Sequence, residues 1–292
     1  KLYCGTVEPS DALRYGRQSK EMPSHLLQFS ADKKPVVVWN ITRKCNLKCV
    51  HCYAHATDEA AKEELSTEEG KQLLDDLADF GTPVVLFSGG EPLVRKDLVE
   101  LADYAVKRGM RAVISTNGTL ITRSVAQALK EVGLSYVGIS LDGMREVNDR
   151  FRGVKGSFDR AMAGIKHCQE AGIKVGLRFT INRMNAAEIP AIFDLLEERD
   201  IPRVCFYHLV YTGRGSDLIE EDLSHEETRR VVDLIIDRTK DLHARGKPKE
   251  VLTVDNHADG PYVYLRMLKE NSSRAEEVLE LLKMNEGNSS GR

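Results

Sequence analysis

The chain has 292 residues, 41% of them hydrophobic and 30% charged, with a formal net charge of −3. That balance suits a globular core of ordinary size and leaves no basic tract for nucleic acid. No apolar run approaches the roughly 20 residues of a membrane-spanning helix, so no membrane partner is expected either.

Residues 1–34 read as an N-terminal extension. Residues 35–41 (PVVVWNI) are β-branched, nearly all apolar and too short for a helix, which predicts a buried parallel strand. Directly after it comes Cys45-Asn46-Leu47-Lys48-Cys49-Val50-His51-Cys52, a C-x3-C-x2-C spacing. Three thiolates are one short of a closed tetrahedral zinc or iron site, so a metal centre here keeps a position open for an exchangeable ligand. A structural zinc completed by His51, His55 or a distant residue is the competing reading. Such sites usually draw on two C-x2-C pairs, and the chain has no second pair. Six cysteines in 292 residues is not a stapled scaffold, and a thiolate-held metal centre expects a reducing compartment, the cytoplasm.

Five more apolar runs follow: residues 83–87 (PVVLF), 111–115 (RAVIS), 136–141 (YVGISL), 174–181 (KVGLRFTI) and 203–210 (RVCFYHLV). Amphipathic segments lie between them. Ser66-Thr67-Glu68-Glu69 is a capping box, and Ser157, Asn185 and Ser224 also read as helix starts. Gly81, Gly109, Gly133 and Gly172 read as helix stops. Strands alternating with helices predict a parallel sheet, and six units over 35–210 predict a partial, TIM-like (β/α)6 barrel. A doubly wound sheet is the alternative. Residues 211–292 read as a helical region with its main helix at 224–245. The run 285–292 reads as a flexible loop, and the whole as a segment of a longer protein.

Three further motifs end predicted strands, the face where barrels place their chemistry. Ser88-Gly89-Gly90-Glu91-Pro92 offers close backbone approach and an acceptor for a cation, although a tight turn would use the same residues. Ser115-Thr116-Asn117-Gly118 presents polar groups suited to ribose hydroxyls, or a plain Asn-Gly turn. Ser140-Leu141-Asp142-Gly143 is followed by Arg150-Phe151-Arg152-Gly153, and Arg152 offers a planar fork to a carboxylate or to a surface ion pair.

In order and spacing these four segments resemble the radical S-adenosylmethionine (SAM) superfamily over residues 35–210. The resemblance implies a 4Fe–4S cluster on Cys45, Cys49 and Cys52, with SAM chelating the fourth iron. It further implies that Gly89, Gly90 and Glu91 meet the SAM ammonium, Ser115, Asn117 and Ser140 its ribose, and Arg152 its carboxylate. Reduction of SAM to methionine and a 5′-deoxyadenosyl radical follows, fed by a low-potential donor such as flavodoxin or ferredoxin. Leu2 to Thr6, Asp11 to Arg17, Lys33 to Asn40, Tyr207 to Gly215 and Val254 to Gly260 resemble the haem-maturation branch, which trims sirohaem-derived tetrapyrroles. Within it the resemblance is to enzymes that remove the acetate side chains of didecarboxysirohaem, giving iron-coproporphyrin III. Haem d1 enzymes, which remove propionates, are near neighbours. A peptide-modifying radical SAM enzyme and a non-catalytic metal-binding module are the rivals. Substrate carboxylates are expected at Arg178, Asn182 and Arg214, and His208 and His257 are candidate catalytic groups. Relatives carry further cysteines for an auxiliary 4Fe–4S cluster, expected here in a C-terminal segment beyond residue 292. Cys4, Cys168 and Cys205 are too dispersed to hold one and read as small buried hydrophobes.

Overall fold

The computed structural model describes residues 2–5 and 34–284, which fall into two compact units. In the unit Lys34–Ser224 the apolar runs form β1 (Val37–Asn40), β2 (Val84–Ser88), β3 (Arg111–Thr116), β4 (Tyr136–Ser140), β5 (Lys174–Ile181) and β6 (Arg203–His208). Between them run α1 (Thr67–Phe80), α2 (Leu98–Lys107), α3 (Arg123–Glu131), α4 (Arg145–Arg152), α5 (Ser157–Glu170) and α6 (Ile189–Glu198). Each strand pairs in parallel with the next in sequence. An order without reversal is that of an open barrel; a doubly wound sheet would reverse at a switch point.

Strand parity divides the barrel wall. Val85, Phe87, Ala112, Ile114, Val137, Ile139, Leu177, Phe179, Val204 and Phe206 are buried on the helix side. Phe193 of α6 stacks on Phe206 at 5.6 Å, and Trp39 lies 5.8 Å from Phe87. The opposite parity faces the lumen and is partly open: Ser115, Ser140, Arg178, Thr180 and Tyr207 are each half-buried. Ser66 caps α1 as predicted, with Glu69 closing the capping box. Gly156 takes the cap of α5 in place of Ser157, whose hydroxyl donates to Asp149 instead.

The barrel unit runs to Ser224, past the expected boundary at 210. Backbone and side-chain donors of Arg183 hold Glu221 and Glu220, which fixes that tail to the end of β5. The second unit contains α7 (His225–Ala244), β7 (Glu250–Val254), α8 (Asp259–Lys269) and α9 (Ala275–Met284). Helices were expected throughout this stretch. The short β-branched run of β7 makes a strand instead. Met267, Ala275, Val278 and Leu282 form its core, with Leu2 and Tyr3 packed against them. Arg274 donates to the Tyr3 carbonyl at 2.8 Å. Most of the expected N-terminal extension, Asp11 to Arg17 included, and the run 285–292 lie outside the described residues.

Candidate active site

The loop after β1 carries all three cysteines and is gripped by segments that leave the C-terminal ends of other strands. From the turn after β2, Gly90 N–H donates to Thr42 O at 2.7 Å and Glu91 N–H to Lys44 O at 2.9 Å. A Cβ at Gly90 would strike the Lys44 carbonyl, so this glycine serves the approach of two protein backbones. From the end of α4, the Arg152 and Phe151 carbonyls accept from Lys48 and Val50 at 3.1 and 3.0 Å. The loop closes on itself through Cys45 N–H to Thr57 O at 2.7 Å and Thr57 N–H to Arg43 O at 3.1 Å.

Every loop sulfur has an N–H donor near it. Leu47 N–H reaches Cys45 Sγ at 3.4 Å, Ala56 N–H reaches Cys52 Sγ at 3.4 Å, and Arg152 Nη1 reaches Cys49 Sγ at 3.6 Å. Asn117 Nδ2 stands 4.0 Å from Cys45 Sγ. Donors arranged this way suit thiolates that ligate a metal cluster, whose negative charge they spread. Burial pushes the Cys45 thiol up to about 11 and raises that of Cys49, so metal binding must displace protons. Among the described residues no group of three His, Cys, Asp or Glu side chains is placed to hold a single metal ion, as a zinc site would need.

Several residues expected to touch SAM have partners within the chain. Glu91 is fully buried and accepts from Thr116 Oγ1 at 2.6 Å, Asn117 N at 2.8 Å and Leu93 N at 3.1 Å. Burial raises its pKa against those donors. It ties the β2 turn to the β3 turn. Asn117 Nδ2 donates to Asn46 Oδ1 at 2.8 Å and its Oδ1 accepts from Thr119, so this side chain braces the cysteine loop. Arg152 is buried and ion-paired with Asp142, itself fully buried, while its Nε has no hydrogen-bond partner. His51, its ring tilted against Phe151 at 4.6 Å, stands 3.6 Å from the same Asp142, and burial drops its pKa to about 4. Sequence reasoning passed over Asp142, whose role shows only once β4 and α4 are folded together.

Ser115 and Ser140 do face the lumen. Beside Ser140, in register on β5, is Arg178. Its side chain lies across Gly138, where a Cβ would collide with Nε, and its guanidinium stands 5.8 Å from the Tyr207 ring. That Nε is buried without a hydrogen-bond partner, and no carboxylate among the described residues pairs with this arginine. A half-buried cation with an unsatisfied donor offers a site for an anion.

The other expected substrate groups are placed differently. Asn182 lies past β5, wholly buried, and its Oδ1 accepts from Met184 N–H in a turn. Arg214 donates through Nε to Cys49 O at 2.8 Å and through Nη1 to Ala56 O at 2.9 Å, both within the cysteine loop. His208 shares the parity of Val204 and Phe206, so the lumen-facing residue at the end of β6 is Tyr207. His257 belongs to the second unit and is exposed. Cys168 and Cys205 are buried as expected, while Cys4 is half-buried.

Comparison with known proteins agrees with this site. Residues 39–196 match the radical SAM superfamily. The chain is 73% identical over 291 residues to Fe-coproporphyrin III synthase of Methanosarcina barkeri, covering 100% of this chain and 73% of that one. It is 43% identical over 262 residues to pre-heme d1 synthase of Dinoroseobacter shibae, covering 88% of this chain and 64% of the relative. In fold it resembles Streptococcus suis SuiB bound to S-adenosylmethionine, with a TM-score of 0.66, 21% identity, and coverage of 78% of this chain and 52% of that one. A barrel whose cysteine loop is furnished with donors to all three sulfurs, together with these matches, shows that the chain belongs to the haem-maturation branch of the radical SAM superfamily.

Proposed function

We propose that this enzyme removes the acetate side chains of didecarboxysirohaem to give iron-coproporphyrin III. The observation that carries the reading is the 73% identity to Fe-coproporphyrin III synthase along the whole chain, cysteine loop included. A low-potential flavodoxin or ferredoxin in a reducing cytoplasm supplies electrons. Among the described residues no helix is long and apolar enough to cross a membrane.

The cluster on Cys45, Cys49 and Cys52, when bound, supplies the electron that cleaves SAM and so provides a hydrogen-abstracting radical. The chain's own residues hold and orient. Leu47, Ala56 and Arg152 donors steady the sulfurs, and the Asp142–Arg152 pair fixes α4 to the turn after β4. Ser115 and Ser140 offer hydroxyls to the ribose from the lumen side of β3 and β4. The SAM carboxylate goes to Arg178, the lumen cation beside Ser140, because Arg152 is already paired. Tyr207 forms the wall behind that guanidinium.

The test is anaerobic incubation with didecarboxysirohaem, SAM and dithionite, followed by mass spectrometry of the tetrapyrrole. Loss of two acetate side chains is expected. Loss of propionates would move the enzyme to the haem d1 reaction, and an unaltered tetrapyrrole beside abundant 5′-deoxyadenosine would overturn the substrate assignment.

A further inference from the structure

The segment after β6, Tyr211-Thr212-Gly213-Arg214-Gly215, touches the cysteine loop at three carbonyls. Arg214 N–H donates to Cys52 O at 3.0 Å, while its guanidinium donates to Cys49 O at 2.8 Å and Ala56 O at 2.9 Å. Gly213 has φ +57, and a Cβ there would collide with the carbonyls of Cys52 and Tyr53. At Gly215 a Cβ would collide with the Val210 carbonyl. Gly213 lets the backbone come close enough for Arg214 to reach all three acceptors, and Gly215 lets the segment turn back on Val210.

We propose that Arg214 is a positioning residue for the iron–sulfur cluster: a clamp from the end of β6 that holds the Cys49–Ala56 arc in ligating shape and places a positive charge behind it. The inference rests on the cluster reading above. Two of its acceptors are the carbonyls of the ligands Cys49 and Cys52, so loop shape and ligand direction are set together. No acidic side chain among the described residues is paired with this guanidinium in the structure's ion pairs, so its charge acts on the loop undiminished. A cation beside an anionic centre favours its reduced form. Arg214 thus links the strand that ends in Tyr207 to the redox centre.

Three variants separate shape from charge. Arg214→Met removes both, Arg214→Lys keeps the charge without the fork, and Arg214→Ala checks the effect of side-chain bulk. Release of iron to a chelator from the reconstituted protein is expected to quicken on the order of tenfold in Met and Ala, and less in Lys. The cluster's midpoint potential is expected to fall in Met and Ala and to stay near the parent value in Lys. In cluster-free protein, amide exchange across residues 45–57 is expected to quicken in all three. Parent-like chelator release, potential and exchange in Met and Ala would overturn the clamp. Failure of the parent itself to bind a cluster would instead overturn the cofactor reading, and the two failures are distinguishable.

Discussion

The cysteine loop and the barrel lumen adjoin each other and are built on opposite terms. Contacts from the β2 turn, the end of α4 and the segment after β6 fill the loop's backbone hydrogen bonds before any cofactor arrives. The lumen keeps a buried Arg178 Nε with nothing to bond and two half-buried serines. A radical enzyme needs this division: the redox centre must be rigid, whereas the reacting partners must enter and leave. Groups already partnered inside the protein, Glu91 and Arg152 among them, belong to the rigid half. Groups without a protein partner mark where ligands go.

The largest effect should come from Cys45→Ala, Cys49→Ala or Cys52→Ala, each of which removes a ligand no neighbour can replace. Iron incorporation and production of 5′-deoxyadenosine are both expected to vanish. Full iron content in any one of the three would break the ligand assignment.

Arg152→Ala sharpens the line between the two halves. Removing it strands the buried Asp142 carboxylate, at a cost of about 3–5 kcal/mol. Chemical denaturation should show that loss, and adding Asp142→Asn should recover part of it. Parent-like stability with weakened SAM binding would return Arg152 to the open, ligand-facing half.

Arg178→Met is expected to behave the other way. It has no carboxylate partner among the described residues to strand and loses only its packing on Tyr207 and Gly138, so folding and iron content should hold. SAM affinity by equilibrium titration should drop roughly ten- to a hundredfold, the equivalent of about 1.5–3 kcal/mol for one charge-assisted contact. Unchanged SAM affinity with impaired tetrapyrrole binding would assign the arginine to the substrate's carboxylates instead.

A smaller, pH-dependent effect lies at the foot of the loop. Arg95 donates to Asp97 at 2.7 Å and to Ile41 O at 2.9 Å, and Thr67 donates to Asp97 at 2.7 Å. The Arg95 side chain holds the Asp97 pKa down from 3.8 to about 2. A carboxyl depressed on folding stabilises above its unfolded pKa and stops doing so as pH falls through its folded one. The stability advantage of the parent over Asp97→Asn should therefore be full above about pH 4 and shrink toward about pH 2. An advantage that stayed constant across that window would exclude the pair as its source.

Local signals were legible in the sequence. The six barrel strands, the Ser66 capping box and the cysteine spacing each depend on a few neighbouring residues. Partnerships across the fold were not. Arg214 and Cys49 are 165 residues apart, and nothing near either one announces that the guanidinium rests on the other's carbonyl. Asp142 and Arg152 are close in sequence, yet their pairing depends on how α4 returns to β4. Motif resemblance therefore pointed to the right neighbourhood, but not to the contacts that Arg152 and Arg178 make within it. Strand β7, one buried and four half-buried residues, carries too little periodicity to stand out among helices.

The central claim is that three thiols hold a four-iron cluster with one iron left for SAM. Electron paramagnetic resonance of the anaerobically reconstituted, dithionite-reduced protein, recorded with and without SAM, tests it most directly. The account predicts the signal of a reduced 4Fe–4S cluster whose g values shift when SAM is added, because SAM becomes a ligand of the open iron. A cluster signal that SAM leaves unchanged, or a protein that takes up zinc and no iron–sulfur cluster, would contradict it.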